Sequence, residues 1–240
     1  MREYLSDIIQ ACHESVDIED EDPCSGYAYM RGRGITDEQI QSFKLGAGIS
    51  RLPKLSDKSE DAERFKRQFR DTLSGQIIIP LYAPDGTLMG LETRLYDDSS
   101  TRRYTQYYLS DWVQDPVFLG TPQALPSIWE SKTAILTEGV FDLFVVQRVA
   151  SNVICPLTAR VSPIQHRFLM RWCDKVVFMF DSDMKGRSYT QSMMDKNIQG
   201  RDGYDVYTLK YPAKDPSALY QKIGYHKFSQ MIQSKLSEIV

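Results

Sequence analysis

The run Val176-Val177-Phe178-Met179-Phe180 stops abruptly at Asp181-Ser182-Asp183-Met184-Lys185-Gly186, and few folds accommodate such a segment. An uninterrupted apolar stretch of this length, rich in β-branched and aromatic residues, predicts a strand buried on both faces, as in the interior of a parallel sheet. Such a strand keeps its polar chemistry at its tip, the edge where open α/β sheets bind ligands. Side chains alternate along an extended segment, so Asp181 and Asp183 aim to the same side beyond that edge. Two carboxylates this close raise each other's pKa unless a cation sits between them. Gly186 permits a tight turn into a helix predicted over residues 187–199.

An isolated Asp-x-Asp pair also fits a helix cap with a solvated neighbour. A second acidic pair weighs against that reading. Thr133–Thr137 is another short apolar strand, ending in Glu138-Gly139-Val140-Phe141-Asp142, and residues 143–150 then show helical apolar spacing. Glu138 falls at a strand tip and Asp142 in the first turn of the next helix, where its charge suits the dipole. Two parallel strands thus offer acids at one edge. An oxygen-only ligand set suits magnesium or manganese and not the softer zinc pattern.

Upstream, residues 1–27 read as an N-terminal segment and linker: a helix-like piece over residues 4–12, then an acidic run over residues 17–22. Cys12, His13 and Cys24 lack a fourth ligand and a Cys-x-x-Cys pair, so they read as structural. Thr36 with Gln39 forms a capping box, Ile40 and Phe43 give the helix one apolar face, and Gly46 is placed to end it. Residues 57–71 read as a charged exposed helix or ordered loop anchored by Phe65 and Phe69. Arg64, Lys66, Arg67 and Arg70 there fit a solvated face better than a phosphate contact. Residues 76–81 and 87–96 flank Ala83-Pro84-Asp85-Gly86 and predict a β-hairpin. Further strands at residues 104–109 and 117–119 complete a mixed α+β unit on an antiparallel sheet. Its notable polar residues are Arg94, Arg102, Arg103 and Tyr104: arginine forks suit phosphates, and aromatic faces suit unstacked bases.

Residues 121–126, Thr-Pro-Gln-Ala-Leu-Pro, read as a boundary with a proline-bounded turn. Beyond them strands at residues 133–138, 152–155, 175–181 and 204–209 alternate with helices at residues 140–150, 162–172 and 187–199, which predicts a parallel, helix-covered sheet. Asp215 caps a helix begun by Pro216 and ending at Gly224, and a last amphipathic helix covers residues 226–239.

Net charge is −3, so no overall field draws the molecule to nucleic acid or acidic membranes. Cys12, Cys24, Cys155 and Cys173 show no paired spacing, which fits free thiols in a reducing compartment. With no stretch of membrane-spanning length and no signal peptide at Met1-Arg2-Glu3-Tyr4, the expected location is the cytoplasm.

Glu138-Gly139-x-x-Asp142 followed by Asp181-x-Asp183-x-x-Gly186 resembles the Toprim signature shared by bacterial-type primases, topoisomerases, small nucleases and recombination mediators. The primase branch, the bacterial or phage DnaG-like catalytic core, is the most similar. It has counterparts of Arg33-Gly34-Ile35 through Phe43-x-Leu45-Gly46, of Gly90-Leu91-Glu92-Thr93-Arg94, of Arg103-Tyr104, of Thr158-Ala159 and of Asp215-Pro216. The resemblance covers roughly residues 28–224 in unbroken order.

Three departures stand out: Gln76 where the family has an arginine, Lys185 where it has a small residue, and Ser217 where it has a second acid. These 240 residues hold no counterpart of the family's N-terminal zinc ribbon or of its C-terminal helicase-binding bundle. That is the look of a stripped catalytic core such as a phage or mobile element encodes, working in the host cytoplasm.

The resemblance implies an α+β N-terminal subdomain (28–126), an α/β Toprim domain with a parallel sheet (127–212) and a helical C-terminal tail (213–240). It implies a DNA-directed RNA polymerase of primase type, making short primers on single-stranded DNA by two-metal-ion nucleotidyl transfer. Glu138, Asp181 and Asp183 are then catalytic and, with Asp142 and Asp215, bind Mg2+ or Mn2+. Arg94, Arg103, Tyr104, Lys185 and Lys214 contact template or nucleotide. Partners are single-stranded DNA, nucleoside triphosphates, a replicative helicase and a zinc-bearing chain. The rival readings are a Toprim nuclease using the same acids, a topoisomerase, for whose tyrosine domain there is no room, and a non-catalytic accessory. From outside the family comes a phosphatase-like aspartyl nucleophile at Asp181.

Overall fold

The computed structural model describes residues 2–17, 22, 25–54, 63, 66–69, 73–96, 104–109, 118–158, 160–181, 188, 191 and 203–239. The chain forms two compact units that meet in sequence between Gln114 and Asp115, upstream of the boundary expected after residue 126. In the first unit, helices α1 (Arg2–Glu14), α2 (Gly26–Gly32) and α3 (Asp37–Ser42) accompany an antiparallel sheet. Its strands are β1 (Gly46–Ala47), β2 (Gln76–Tyr82), β3 (Leu88–Leu95) and β4 (Tyr104–Tyr108), side by side in chain order. The hairpin β2-β3 turns where expected, with Gly86 at a φ of 81°.

The helix-like piece expected over residues 4–12 is α1 and belongs to the first unit, while of the acidic run read as linker only Asp17 and Asp22 are described. Tyr4, Leu5, Ile8, Ile9 and Cys12 repeat at helical spacing, are all buried, and share one core with Ile78, Leu91, Phe69 and Leu73. Each such burial stabilises by about 1.5–3 kcal/mol, enough for a helix of 13 residues to belong to the unit despite the acidic run that follows. The close approach of α1 also explains Gly46. It does not end α3: Lys44, at a φ of 51°, makes that left-handed turn. Gly46 lies in β1, where a Cβ would stand 2.7 Å from the Cys12 backbone. Cys12 and His13 are structural as expected, His13 Nδ1 bonding the Leu45 carbonyl at 2.7 Å, while Cys24 lies outside the described residues. The capping box of Thr36 and Gln39 is present.

The second unit contains α4 (Thr121–Ser131), β5 (Thr133–Thr137), α5 (Val140–Gln147), β6 (Val153–Ile154), α6 (Pro163–Trp172), β7 (Lys175–Met179), β8 (Asp205–Thr208) and α7 (Pro216–Leu236). Its four strands are parallel in the order β6-β5-β7-β8, as the alternation of strand and helix predicts. Ala134, Leu136, Val176 and Phe178 face Ala124 and Ile128 of α4 and Leu169 of α6 in one core. Alternation turns Ile135 and Val177 to the opposite face, where α5 packs on the sheet and against α7. Gly224, at a φ of 74°, breaks α7 where the helix end was expected.

Two further expectations are corrected. Residues 121–126 are helical, because Pro122 in the first turn has no N–H to lose and Pro126 is exposed. Leu119 pairs with Cys155 of the second unit, not with the antiparallel sheet, and Val117 lies outside the described residues. The helix expected over 187–199 is described only at residues 188 and 191, both helical.

In the first sheet Glu92 is 2 % exposed, and burial pushes its carboxyl up to about 7 although Gln106 Nε2 donates to Oε2 at 2.7 Å. Oε1 is buried without a hydrogen-bond partner. A carboxyl whose folded pKa exceeds its unfolded value favours folding most below the unfolded pKa of 4.5 and loses that contribution as pH rises through about 7. Glu92→Gln should therefore leave stability nearly unchanged at pH 4 and raise it by roughly 1–3 kcal/mol at pH 8, measured by denaturant unfolding at both values.

Candidate functional site

β5 and β7 are neighbours in register, with Thr137 opposite Met179, so the residues just past each strand meet at one edge of the sheet. Glu138 leaves β5 there, and its Oε2 accepts the Asp181 backbone N–H at 3.2 Å. This turns the glutamate toward Asp181. Cys155, at the end of β6, donates its thiol to the Glu138 carbonyl at 3.3 Å and fixes the backbone from the other side.

Asp142 stands in the first turn of α5 and is 6 % exposed. Its Oδ1 accepts the Ser217 N–H at 2.8 Å, pinning the start of α7 to the start of α5. Burial, then Asp215 and Asp181, push its carboxyl up to about 8, while the Ser217 and Gly139 N–H groups act the other way. Gly139 is needed for this fit, since a Cβ there would lie 2.6 Å from Asp142 Oδ2. Arg148 ties the same two helices, donating to the Tyr220 hydroxyl at 2.9 Å with its guanidinium 4.1 Å from the Tyr225 ring centroid.

Asp215 caps α7, its Oδ1 accepting the Ala218 N–H at 2.6 Å. Its other oxygen lies 3.9 Å from Lys214 Nζ, which is also 3.7 Å from Asp181 Oδ2. Tyr211, which the sequence reading missed, donates to the Phe180 carbonyl at 2.8 Å and tethers the chain after β8 to the tip of β7. Its hydroxyl pKa is driven far up by burial and then by the charges of Asp142, Asp181, Asp215 and Glu138. Its place after β8, just before Pro212, carries no motif that marks it in the sequence.

Among the described residues no three carboxylate, imidazole or thiolate groups converge closely enough to form a closed metal cluster. The donor chemistry nonetheless fits a hard divalent ion. Glu138, Asp181 and Asp215 offer carboxylate oxygens at one rim, and an ammonium group already stands between two of them. Asp142 is a brace below that rim more than a part of it. Asp183 and Lys185, expected beside Asp181, lie outside the described residues, as does Arg103.

Of the contacts expected in the first unit, Arg94 is 2 % exposed, its guanidinium 4.9 Å from the ring centroid of Tyr104 and bonded to the Leu95 carbonyl. Tyr104 is 39 % exposed. The pair is a buried cation backing an open aromatic face, not an exposed phosphate fork. Gln76 starts β2, its carbonyl accepting the Gly48 N–H at 2.7 Å. Ser217 is buried, with an Oγ that has no hydrogen-bond partner.

Asp142→Ala strips the buried Ser217 N–H of its acceptor, and a loss of roughly 1–3 kcal/mol is expected. Asp142→Asn retains an acceptor oxygen and should stay within about 1 kcal/mol of the parent. Chemical denaturation of both variants at pH 7 checks this.

Residues 135–220 match a family described as Toprim-like. The chain is 25 % identical over 221 residues to the DNA primase of Aquifex aeolicus, covering 86 % of this chain and 44 % of that protein. It therefore spans less than half the length of that relative. The fold is similar to the E. coli primase catalytic core, with a TM-score of 0.78 at 16 % identity over 99 % of this chain and 79 % of that one. It is also similar to the DnaG primase catalytic domain bound to single-stranded DNA, with a TM-score of 0.75 at 16 % identity over 97 % and 80 %. No helix among the described residues is long and apolar enough to cross a membrane.

Proposed function

We propose that this chain, which has the fold and the Toprim-like domain of DnaG-type primase catalytic cores, is a nucleotidyltransferase that makes short RNA primers on single-stranded DNA during replication. The observation that carries the reading is the meeting of Glu138 and Asp181 at one sheet edge, with Glu138 held by the Asp181 N–H and Lys214 reaching from Asp215 to Asp181. Similarity to a DnaG catalytic domain solved with single-stranded DNA supports the template class.

In this reading Glu138, Asp181 and Asp183, supported by Asp142 and Asp215, hold magnesium or manganese. Such ions neutralise the triphosphate and make the 3′-hydroxyl of the growing primer more acidic. The chain's own contribution is placement. The Asp181 N–H and the Cys155 thiol fix Glu138, and the Ser217 N–H fixes Asp142. Capping by Asp215 fixes the start of α7 and, with it, the backbone of Lys214. Tyr104 offers a ring for an unstacked base, polarised by the Arg94 guanidinium beneath it. Arg103, Lys185 and Lys214 supply charge for phosphates. With net charge −3, template binding is weak and strongly salt-dependent, so a replicative helicase and a zinc-bearing chain fit as partners in the cytoplasm.

The test is incubation with single-stranded DNA, magnesium and labelled nucleoside triphosphates. Short oligomers are expected, falling by at least a hundredfold in Glu138→Ala and Asp181→Ala. Nicking of circular DNA without nucleotide incorporation would establish the nuclease reading instead. Inertness in both assays, with helicase and a zinc-bearing partner added, would favour a non-catalytic accessory.

A further inference from the structure

We infer that Lys214 is an exchangeable internal counter-ion of the acidic rim: its ammonium stands in for a divalent cation between Asp181 and Asp215, leaves when that cation binds, and then engages the triphosphate of the incoming nucleotide. The inference deepens the reading of the rim as a metal-dependent nucleotidyl-transfer site and rests on it.

Lys214 Nζ lies 3.7 Å from Asp181 Oδ2 and 3.9 Å from Asp215 Oδ2, bridging acids from two elements far apart in sequence. The two carboxylates are mostly sheltered, at 17 % and 20 % side-chain exposure, whereas the lysine side chain is 68 % exposed. The acids are thus fixtures of the rim and the ammonium is a visitor reaching in from solvent. Both separations exceed hydrogen-bond length, so the attraction is that of a point charge with no directional bond to break. Exposed ion pairs of this kind are weak, and a doubly charged ion competes for the same oxygens with twice the charge.

The backbone beneath the lysine does not move with it. Asp215 is committed through Oδ1 to the Ala218 N–H at 2.6 Å, so only its second oxygen takes part in the exchange. Lys214, the residue just before this cap, therefore pivots on a fixed base with a four-carbon stem. Expelled from between the carboxylates by like-charge repulsion, its ammonium remains within a side chain's length of the bound ion, where a nucleotide's phosphates gather. The exchange has two consequences. Without divalent ions the lysine screens the repulsion between Asp181 and Asp215, and with them it becomes available to the nucleotide, so that ion and nucleotide bind cooperatively.

The experiment uses the full chain and Lys214→Met, with Lys214→Arg as the charge-preserving control. Mn2+ binding without nucleotide is followed by electron paramagnetic resonance at low ionic strength. Affinity of a nucleoside triphosphate is then measured with and without saturating Mn2+. Removing the competitor should tighten Mn2+ binding in Lys214→Met by roughly two- to tenfold, the size expected from losing two exposed ion pairs. Nucleotide affinity should fall severalfold in Lys214→Met only when Mn2+ is present, and Lys214→Arg should keep most of it. Mn2+ binding that Lys214→Met leaves unchanged or weakens overturns the inference while the metal-dependent reading stands. Loss of nucleotide affinity of equal size with and without Mn2+ overturns it in the same way. Absence of Mn2+ binding in the parent and in both variants overturns the inference and the metal-dependent reading together.

Discussion

Carboxylates gathered at one edge of a sheet repel each other, and burial makes that repulsion stronger because the surrounding dielectric is low. Glu138, Asp142, Asp181 and Asp215 are in this position, and the second unit is arranged around holding them there. Each acid has an answer. Glu138 takes a backbone N–H from Asp181, Asp142 takes one from Ser217, Asp215 takes one from Ala218, and Asp181 shares an ammonium with Asp215. Three of the four answers are main-chain donors, which cannot drift away as a side chain can. The fourth is the long side chain of Lys214. A rim with three acids held by the main chain and an exposed lysine as a mobile counter-charge has stable geometry and adjustable electrostatics, as suits a site that binds and releases small cations.

The helices divide this work by depth. Asp142 lies below the rim, where a full charge is expensive, and its raised pKa shows that the site tolerates it best when protonated. It reads most directly as the joint between α5 and α7, reinforced by Arg148 between Tyr220 and Tyr225. Asp215 and Lys214 ride on that joint. The position of the rim charges therefore depends on a contact that itself never reaches solvent. The same economy appears in the first unit, where buried Arg94 lies against the exposed ring of Tyr104 and Glu92 accepts from Gln106. In both units the polar groups beneath the surface set the posture of the groups at the surface.

Sequence legibility follows the range of the interactions. The strands β5 and β7, the parallel sheet, the β2-β3 hairpin and the caps by Thr36 and Asp215 were readable because each depends on a pattern of a few residues. What failed to show was set by tertiary packing. The apolar repeat from Tyr4 to Cys12 was visible, but nothing local said that it completes the core with Ile78 and Leu91. Two prolines in residues 121–126 suggested a turn, although one falls where a helix has no use for the missing N–H and the other faces solvent. Gly46 looked like a helix end because the partner that requires it, Cys12, is remote in sequence.

The site shows the same division, with consequences for how residues in it are assigned. The family resemblance made Asp142 and Asp215 metal ligands in support of Glu138, Asp181 and Asp183, without saying how their support would differ. Depth and partners separate them: Asp142 is closed off, and Asp215 has one oxygen committed to a helix and one open to the rim. Tyr211 carries no motif, yet it feels all four carboxylates and anchors the segment that brings Lys214 and Asp215 to them. A tyrosine whose hydroxyl is committed to the Phe180 carbonyl is a poor proton donor to any ligand, so its part is positional. It sets where the chain after β8 crosses the sheet edge, and that crossing decides whether the cap of the last helix and the lysine before it can act on Asp181 at all.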